Sequence, residues 1–175
     1  MVGIDPAAAL RPVGLPHGPV VVQSAGQEVG DFAHVYVGGH EVALNERGYN
    51  LVALTPDRAP VAVAFDTHLD PAASQQMAEF IAGLPDGTLV AAAVADEASL
   101  HLGAEAVAAV QMLGATGDLR GKFRWSHAVI GVKGNPPGTA LEALDGLRPV
   151  TLALGPAVTA PSVAAGVAWL RFETL

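Results

Sequence analysis

Three polar side chains of this sequence adjoin apolar runs, and their types suit a neutral ligand that is rich in hydroxyl groups. Arg47 precedes one apolar run, Asp96 directly follows a second, and Arg124 comes shortly before a third. Strand ends are where loops place functional groups on a rigid scaffold. A guanidinium donates through a planar fork to two adjacent oxygens, and a carboxylate accepts hydrogen bonds from hydroxyls. We therefore predict that Arg47, Asp96 and Arg124 bind a sugar.

Two aromatic residues accompany these polar positions. Tyr49 comes two residues after Arg47, and Trp125 comes directly after Arg124. An aromatic face can cover the apolar side of a sugar ring and exclude water from it. The sequence predicts that Trp125 or Tyr49 supports the ring while the two arginines donate to its oxygens.

Each of these positions also has a purely structural interpretation, which the sequence leaves open. Asp96 can cap a helix that it begins. Arg47 can pair with Glu46 or Asp66, Arg124 can hold a carboxylate that fixes its loop, and the indole beside it can be partly buried packing.

The sequence contains no motif with the residue spacing that phosphate binding, a serine nucleophile or a zinc site requires. The loop 131–139 resembles a phosphate cradle, but a P-loop needs Ser or Thr directly after the lysine, and two prolines remove backbone donors. No serine lies in a Gly-x-Ser-x-Gly motif, and the six histidines include no His-Glu-x-x-His pattern. Asp66, His68 and Asp70 alternate after a predicted strand, a pattern that could direct their side chains toward a metal ion. Turns and the start of a helix use such residues equally well. We expect no enzyme activity, no cofactor and no metal.

Composition narrows the class of protein further. The chain has 175 residues, of which 51% are hydrophobic and 15% charged, as expected for one folded domain. A net charge of −8 with only 9 basic residues argues against nucleic acid and anionic membrane surfaces as partners. No apolar run approaches the roughly 20 residues of a membrane span. Cysteine is absent, which excludes disulfides, and the first residues predict no signal peptide.

The pattern of apolar runs predicts an α+β fold with many short strands. Glycine and proline punctuate the chain, and Gly38-Gly39 between two runs is typical of a β-hairpin. The residues up to 17 are interpreted as an extended lead-in to a single domain, 18–175. The predicted strands are 20–22, 33–37, 41–44, 49–54, 61–65, 89–95, 128–132, 150–154 and 167–172, with the last two pairing with each other.

About two helices are expected among these strands. One begins with Asp70 as its N-cap and Pro71 at its first position, and it ends before Pro85. The second opens at Asp96 and ends at Gly114. Residues 140–144 are predicted to form one further helical turn.

Several segments together resemble the interleukin-like epithelial–mesenchymal transition inducer family. Residues 45–54, Asn-Glu-Arg-Gly-Tyr-Asn-Leu-Val-Ala-Leu, are similar to the family signature Gly-Arg-Gly-hydrophobic-Asn-Val-Val-Val-Leu. Further matches follow in family order and spacing over roughly 20–134. They lie at residues 24–26, 33–39, 65–67, 80–88, 95–99 and 123–134.

The resemblance implies a compact β-β-α fold with two twisted sheets and flanking helices. It also implies a non-catalytic carbohydrate-binding module, because a similar domain forms the stem of protein O-linked-mannose N-acetylglucosaminyltransferase and binds a sugar there. The family's sugar-binding residues correspond to Arg47, Asp96 and Arg124 of this chain. The absence of disulfides and the presence of His127 where the stem domain has tryptophan are departures that leave the identity of the sugar open.

The expected partners follow from this resemblance. They are a glycan or a monosaccharide such as N-acetylglucosamine, together with a larger parent polypeptide or a glycosyltransferase. The alanine and arginine bias suggests a bacterial source, and an extracytoplasmic location is favoured over a cytoplasmic one. The alternative function is a protein-interaction or self-assembly module, including a homo-oligomer, that keeps the fold without binding sugar.

Overall fold

The computed structural model describes residue 15 and residues 17–155, and it confirms an α+β fold with two α-helices and nine strands. The strands are β1 (Val20–Gly26), β2 (Phe32–Val37), β3 (His40–Glu41), β4 (Gly48–Leu54), β5 (Val61–Phe65), β6 (Leu89–Asp96), β7 (Ser126–Val132), β8 (Leu141–Asp145) and β9 (Val150–Leu154). The helices are α1 (Ala73–Gly83) and α2 (Ala104–Gln111), and a short 3-10 turn covers Gln27–Val29.

Strand β6 lies at the centre of one mixed sheet. It pairs antiparallel with β4 along its whole length and with β7 over Leu89–Ala93. Strands β5 and β8 extend the sheet beyond β4 and β7. The pairing of β6 with β7 stops at Ala93. At the end of β6, strand β1 replaces β7 as the neighbour and pairs parallel with β6, Ala25 to Ala95 and Gly26 to Asp96. Strand β1 in turn pairs antiparallel with β2 and β9.

The alternating side chains of β6 divide the interior into two cores. Val90, Ala92 and Val94 pack with the buried faces of both helices, whereas Ala91 and Ala93 pack with residues of β1 and β2. Because successive side chains of a strand point to opposite faces, a strand buried on both faces is apolar throughout. The layers therefore run β, β, α, and the two sheets expected from the resemblance are two halves of one continuous sheet.

Two buried serine hydroxyls join the strands where β1 replaces β7. Ser24 Oγ donates to the carbonyl of Val94 at 2.6 Å and accepts the backbone N–H groups of Val94 and His127 at 3.2 and 3.0 Å. Ser126 Oγ accepts the N–H of Gly26 at 3.1 Å and donates to the carbonyl of Arg148 at 2.9 Å. These side chains supply hydrogen bonds that the backbone ladder lacks at this point.

The structure corrects the predicted helices at three places. Helix α1 begins at Ala73, three residues after Asp70, whose carboxylate accepts the N–H of Ala72 in the turn ahead of the helix. Helix α2 begins at Ala104, so Asp96 ends a strand and caps no helix. Residues 140–144 contribute to strand β8 and form no helical turn, since pairing with β7 overrides their helix propensity.

The predicted strands within the described residues are confirmed except for 41–44, of which only Glu41 belongs to a strand, β3. The 38–39 turn joins β2 to β3 with positive φ at both glycines. Strand β9 pairs with β1, whereas the strand predicted at 167–172 lies outside the described residues, as does nearly all of the lead-in. In the described part of the chain, neither helix has the length and apolar character that crossing a bilayer requires.

Candidate functional site

Arg47 and Asp96 approach each other at one end of the sheet. Gly48 of β4 pairs with Ala95 of β6, so the residues just outside this pair, Arg47 and Asp96, are the next to face each other. Arg47 Nη1 lies 4.0 Å from Asp96 Oδ2, and both side chains remain partly exposed. Gly48 has φ +90°, and a Cβ there would overlap the carbonyl oxygen of Phe65, so this crossing requires glycine.

Asp66 holds the other edge of the Arg47 guanidinium. Arg47 Nε donates to both carboxylate oxygens at 3.1 Å, and Nη2 donates to Oδ2 at 2.8 Å. These hydrogen bonds from Arg47 hold the pKa of Asp66 below its usual range. The structural interpretation of Arg47 as a partner of Asp66 is therefore confirmed, while Nη1 remains directed to the Asp96 side.

Asp96 has a carboxylate that accepts no hydrogen bond from any described residue, and its side chain is 23% exposed. Its backbone has φ +56°, a left-handed conformation that is uncommon outside glycine. A strained residue with a free acceptor at a strand end is the combination that binding sites favour.

The backbone of Arg124 lies at the same end of the sheet as Arg47 and Asp96. Gly26 pairs with Asp96, and a Cβ on Gly26 would overlap the carbonyl oxygen of Arg124. Like Asp96, Arg124 has a left-handed backbone, with φ +61°. The structure thus places the backbones of Asp96 and Arg124 on either side of one glycine.

The Arg124 guanidinium has an exposed partner and a buried, unpaired nitrogen. Nη1 donates to Glu28 of the 3-10 turn, as the structural interpretation of Arg124 supposed. The guanidinium lies over the ring of Phe123, with Cζ 4.7 Å from its centroid. Nε is buried and has no hydrogen-bond partner among the described residues. A buried donor without a partner is rare in folded proteins and needs an explanation.

His68 and Glu97 connect the two loops that carry Asp66 and Asp96. His68 Nδ1 lies 2.7 Å from Glu97 Oε2, and only 1% of the Glu97 side chain is exposed. Burial alone raises the pKa of Glu97, but hydrogen bonds from Ser99, His68 and the N–H of Leu100 outweigh it and hold the pKa below its usual range. The carboxylate therefore stays charged and accepts a hydrogen bond from the Nδ1–H group of His68.

Tyr49 is not part of the candidate site, which corrects the sequence prediction. Tyr49 is 2% exposed and belongs to the core that packs against the helices. Burial raises the pKa of the phenol. The hydroxyl lies 2.8 Å from His127 Nδ1, so no face of this ring is available to a sugar.

The Tyr49 hydroxyl begins a buried chain of hydrogen bonds. His127 Nε2 lies 2.9 Å from Glu142 Oε1, so Nε2–H donates a hydrogen bond to the carboxylate. Nδ1 then accepts a hydrogen bond from the Tyr49 hydroxyl. Glu142 also accepts the N–H groups of Thr116 and Gly117. Burial alone raises the pKa of Glu142, but the hydrogen bonds from His127 and the Thr116 N–H outweigh it and lower the pKa to about 2. The chain fixes β4, β7, β8 and the loop after α2 relative to one another.

Trp125 lines a groove that does not include Arg47. Its indole is 36% exposed and lines a groove of about 450 Å³ with the β8–β9 turn, residues 144–147. Gly146 lies against the ring, where a Cβ would overlap the indole atoms. The prediction that Trp125 offers an aromatic surface is compatible with this exposure, but no described contact joins it to Arg47 or Asp96.

The structure brings Arg47 into contact with Asp96, places the Arg124 backbone beside them, and sets Trp125 one residue further along. Sequence reasoning gave no site role to Gly26 or Glu28, and no motif marks them. Asp66 was considered as a partner of Arg47, and that suggestion was correct. Among the described residues, no three histidine and carboxylate side chains form a group that could hold a metal ion.

Comparison with known proteins gives one family. A family model described as "Interleukin-like EMT inducer" matches residues 47–135, just over half of the chain. The match begins at Arg47 and includes Asp96, Arg124 and Trp125. No curated protein matches the chain.

Proposed function

The chain belongs to the interleukin-like EMT inducer family, and from this membership we propose that it is a non-catalytic module that binds a sugar through Arg47, Asp96 and Arg124. Membership of the family favours an accessory or interaction module. The finer proposal is that the partner is a glycan, with N-acetylglucosamine as the first candidate because of the stem-domain resemblance.

The observation that carries the proposal is the approach of Arg47 Nη1 to Asp96 Oδ2 at 4.0 Å. At that distance the two groups form at most a weak ion pair, and a hydroxyl placed between them can accept from the guanidinium and donate to the carboxylate. Each sugar hydroxyl is both a donor and an acceptor. A cation and an anion side by side therefore match a neutral polyol better than they match a ligand of either charge.

Asp66 supports this role by fixing the Arg47 guanidinium. Three hydrogen bonds hold one edge of the guanidinium, so little side-chain entropy remains to be lost when the other edge binds a ligand. Glu97 and His68 fix the Asp96 loop in the same way. The Arg47–Asp96 part of the site is therefore arranged before any ligand arrives.

Arg124 joins the site if its exposed partner moves. Glu28 is largely exposed and belongs to a turn of three residues, so a ligand oxygen can replace its carboxylate at modest cost.

The test is a saccharide titration followed by NMR, after a glycan array has chosen the ligand. Parent protein, Arg47→Ala and Arg124→Ala are compared with Arg58→Ala, a matched control that removes an exposed arginine from the β4–β5 turn at the opposite end of the sheet. We expect both site variants to weaken binding at least about tenfold and the control to bind like the parent. Equal binding by all four proteins would exclude this site.

The alternative is a protein-interaction or self-assembly module. Such a module would use the exposed apolar side chains of Val61, Phe123 and Leu147, together with the edge of β5 that pairs with no other described strand. A mass that rises with concentration in light scattering, without any response to glycans, would favour it. We also propose, with the glycan role, an extracytoplasmic location and attachment to a larger glycan-handling protein.

A further inference from the structure

We infer that the ligand is an oligosaccharide rather than a single sugar, and that the groove between Trp125 and the β8–β9 turn takes a second pyranose unit. The inference rests on the proposed function, because it extends the Arg47–Asp96–Arg124 site along the chain. It assigns a separate role to Trp125, whose groove does not include Arg47.

The groove has the size and the walls that a sugar ring needs. Its volume of about 450 Å³ lies within the range of small-molecule sites. Trp125 forms one wall, and Leu144 and Leu147 contribute apolar surface. Gly146 allows the turn to lie directly against the indole, since a Cβ there would overlap the ring. The backbone of the turn and the indole therefore form one continuous surface.

A carboxylate at the groove distinguishes a sugar from an apolar partner. Asp145 Oδ1 accepts the N–H of Leu147 at 2.7 Å, while Oδ2 has no partner among the described residues. A wholly apolar partner would bury this carboxylate without compensation, which is costly. A pyranose has an apolar face that can pack on the indole and hydroxyl groups that can donate to Asp145. It therefore matches both the apolar and the charged side of the groove.

A short path of hydrogen bonds connects the groove to the first site. The Ser126 hydroxyl donates to the carbonyl of Arg148, next to the turn, and accepts the N–H of Gly26. Gly26 pairs with Asp96. Arg124 and Trp125 are consecutive, so the groove begins at the residue next to the first site.

The experiment compares sugars of increasing length on the same protein. N-acetylglucosamine and its β-linked dimer and trimer are titrated into the parent, Trp125→Ala, Trp125→Phe and the control Val61→Ala, which shortens an exposed apolar side chain at the other end of the sheet. If the glycan array selects another sugar, its own monomer and oligomers replace these probes.

We expect the oligomers to bind the parent on the order of tenfold more tightly than the monomer. Trp125→Ala should abolish that gain and leave monomer affinity unchanged. Trp125→Phe should restore part of the gain, which a variant with a merely damaged fold would not do. Val61→Ala should keep all of it.

Two results would overturn the inference and leave the proposed function intact. One is monomer and oligomers binding the parent equally, with Arg47→Ala weakening both. The other is Trp125→Ala weakening monomer and oligomers by the same factor. Failure of every saccharide to bind the parent would instead refute the proposed function, and the inference would fall with it.

Discussion

The carbonyl oxygen of Arg124 occupies the space that a side chain on Gly26 would need. Gly26 also pairs with Asp96 and donates its N–H to Ser126, so one glycine contacts three parts of the candidate site. The absence of a Cβ lets the loop before β7 lie on the end of β1. The two residues that the sequence separates by almost a hundred positions depend on each other sterically.

Gly26→Ala should displace the Arg124 backbone and lower the free energy of unfolding by about 1–3 kcal/mol, the usual cost of inserting atoms into a filled site. Urea unfolding measures the loss, and chemical shifts of residues 124–126 report the displacement. Gly83→Ala is the matched control, because a Cβ there meets no atom within 4 Å. The steric argument fails if both variants have the stability of the parent.

Arg47→Ala should reduce ligand binding while lowering the free energy of unfolding by less than about 1 kcal/mol. The Arg47–Asp66 pair is about one-third exposed on both sides, and exposed pairs contribute little to stability. Arg120→Ala is the stability control, since Arg120 forms a similar two-pronged pair with Asp118. A loss of several kcal/mol for Arg47→Ala alone would mean that Arg47 is a structural residue.

Glu142→Gln should lower the free energy of unfolding at pH 7 by about 1–3 kcal/mol, because the Thr116 N–H and His127 Nε2 lose a charged hydrogen-bond acceptor. The pKa of Glu142 is lowered to about 2. The stabilisation is therefore complete above the ordinary glutamate pKa and is lost as the pH falls toward 2.

The difference in unfolding free energy between the parent and Glu142→Gln should consequently shrink between pH 6 and pH 3. Urea unfolding at both values measures it. Glu79→Gln is the control, because Glu79 lies at an exposed position of α1 and accepts a hydrogen bond from Gln75. A difference that stays constant across this interval contradicts the assigned role of Glu142.

His68 should carry its proton on Nδ1 in the neutral form, since the Glu97 carboxylate accepts there. Long-range ¹⁵N–¹H correlation spectra identify the tautomer. Glu97→Gln should remove the preference and lower the free energy of unfolding by about 1–3 kcal/mol, because one of the Ser99 or Leu100 donors loses its acceptor. An Nε2-protonated His68 in the parent would show that Glu97 does not orient it.

The strands of the fold were predictable because their signals are local. Apolar runs such as 89–95 and turn residues such as Gly38-Gly39 need no knowledge of partners. The 140–144 segment was mispredicted as helical because alanine and leucine suit a helix, and only the partner strand β7 decides otherwise. Asp96 was ambiguous for the same reason, since an acidic residue after a strand can equally begin a helix.

The candidate site was predictable in part. Family resemblance identified Arg47, Asp96 and Arg124, and the structure places Arg47 beside Asp96. The burial of Tyr49 was not predictable, because which face of β4 is covered depends on helices distant in sequence. The Tyr49–His127–Glu142 chain likewise joins three strands and has no sequence motif.

The left-handed backbones of Asp96 and Arg124 lower the stability of the fold, whereas their side chains belong to the proposed sugar site. Glycine would relax both and would raise the melting temperature if no other contact were lost. Laboratory evolution for heat resistance alone should therefore favour glycine at 96 and 124, and the resulting proteins would lack two side chains of the proposed sugar site.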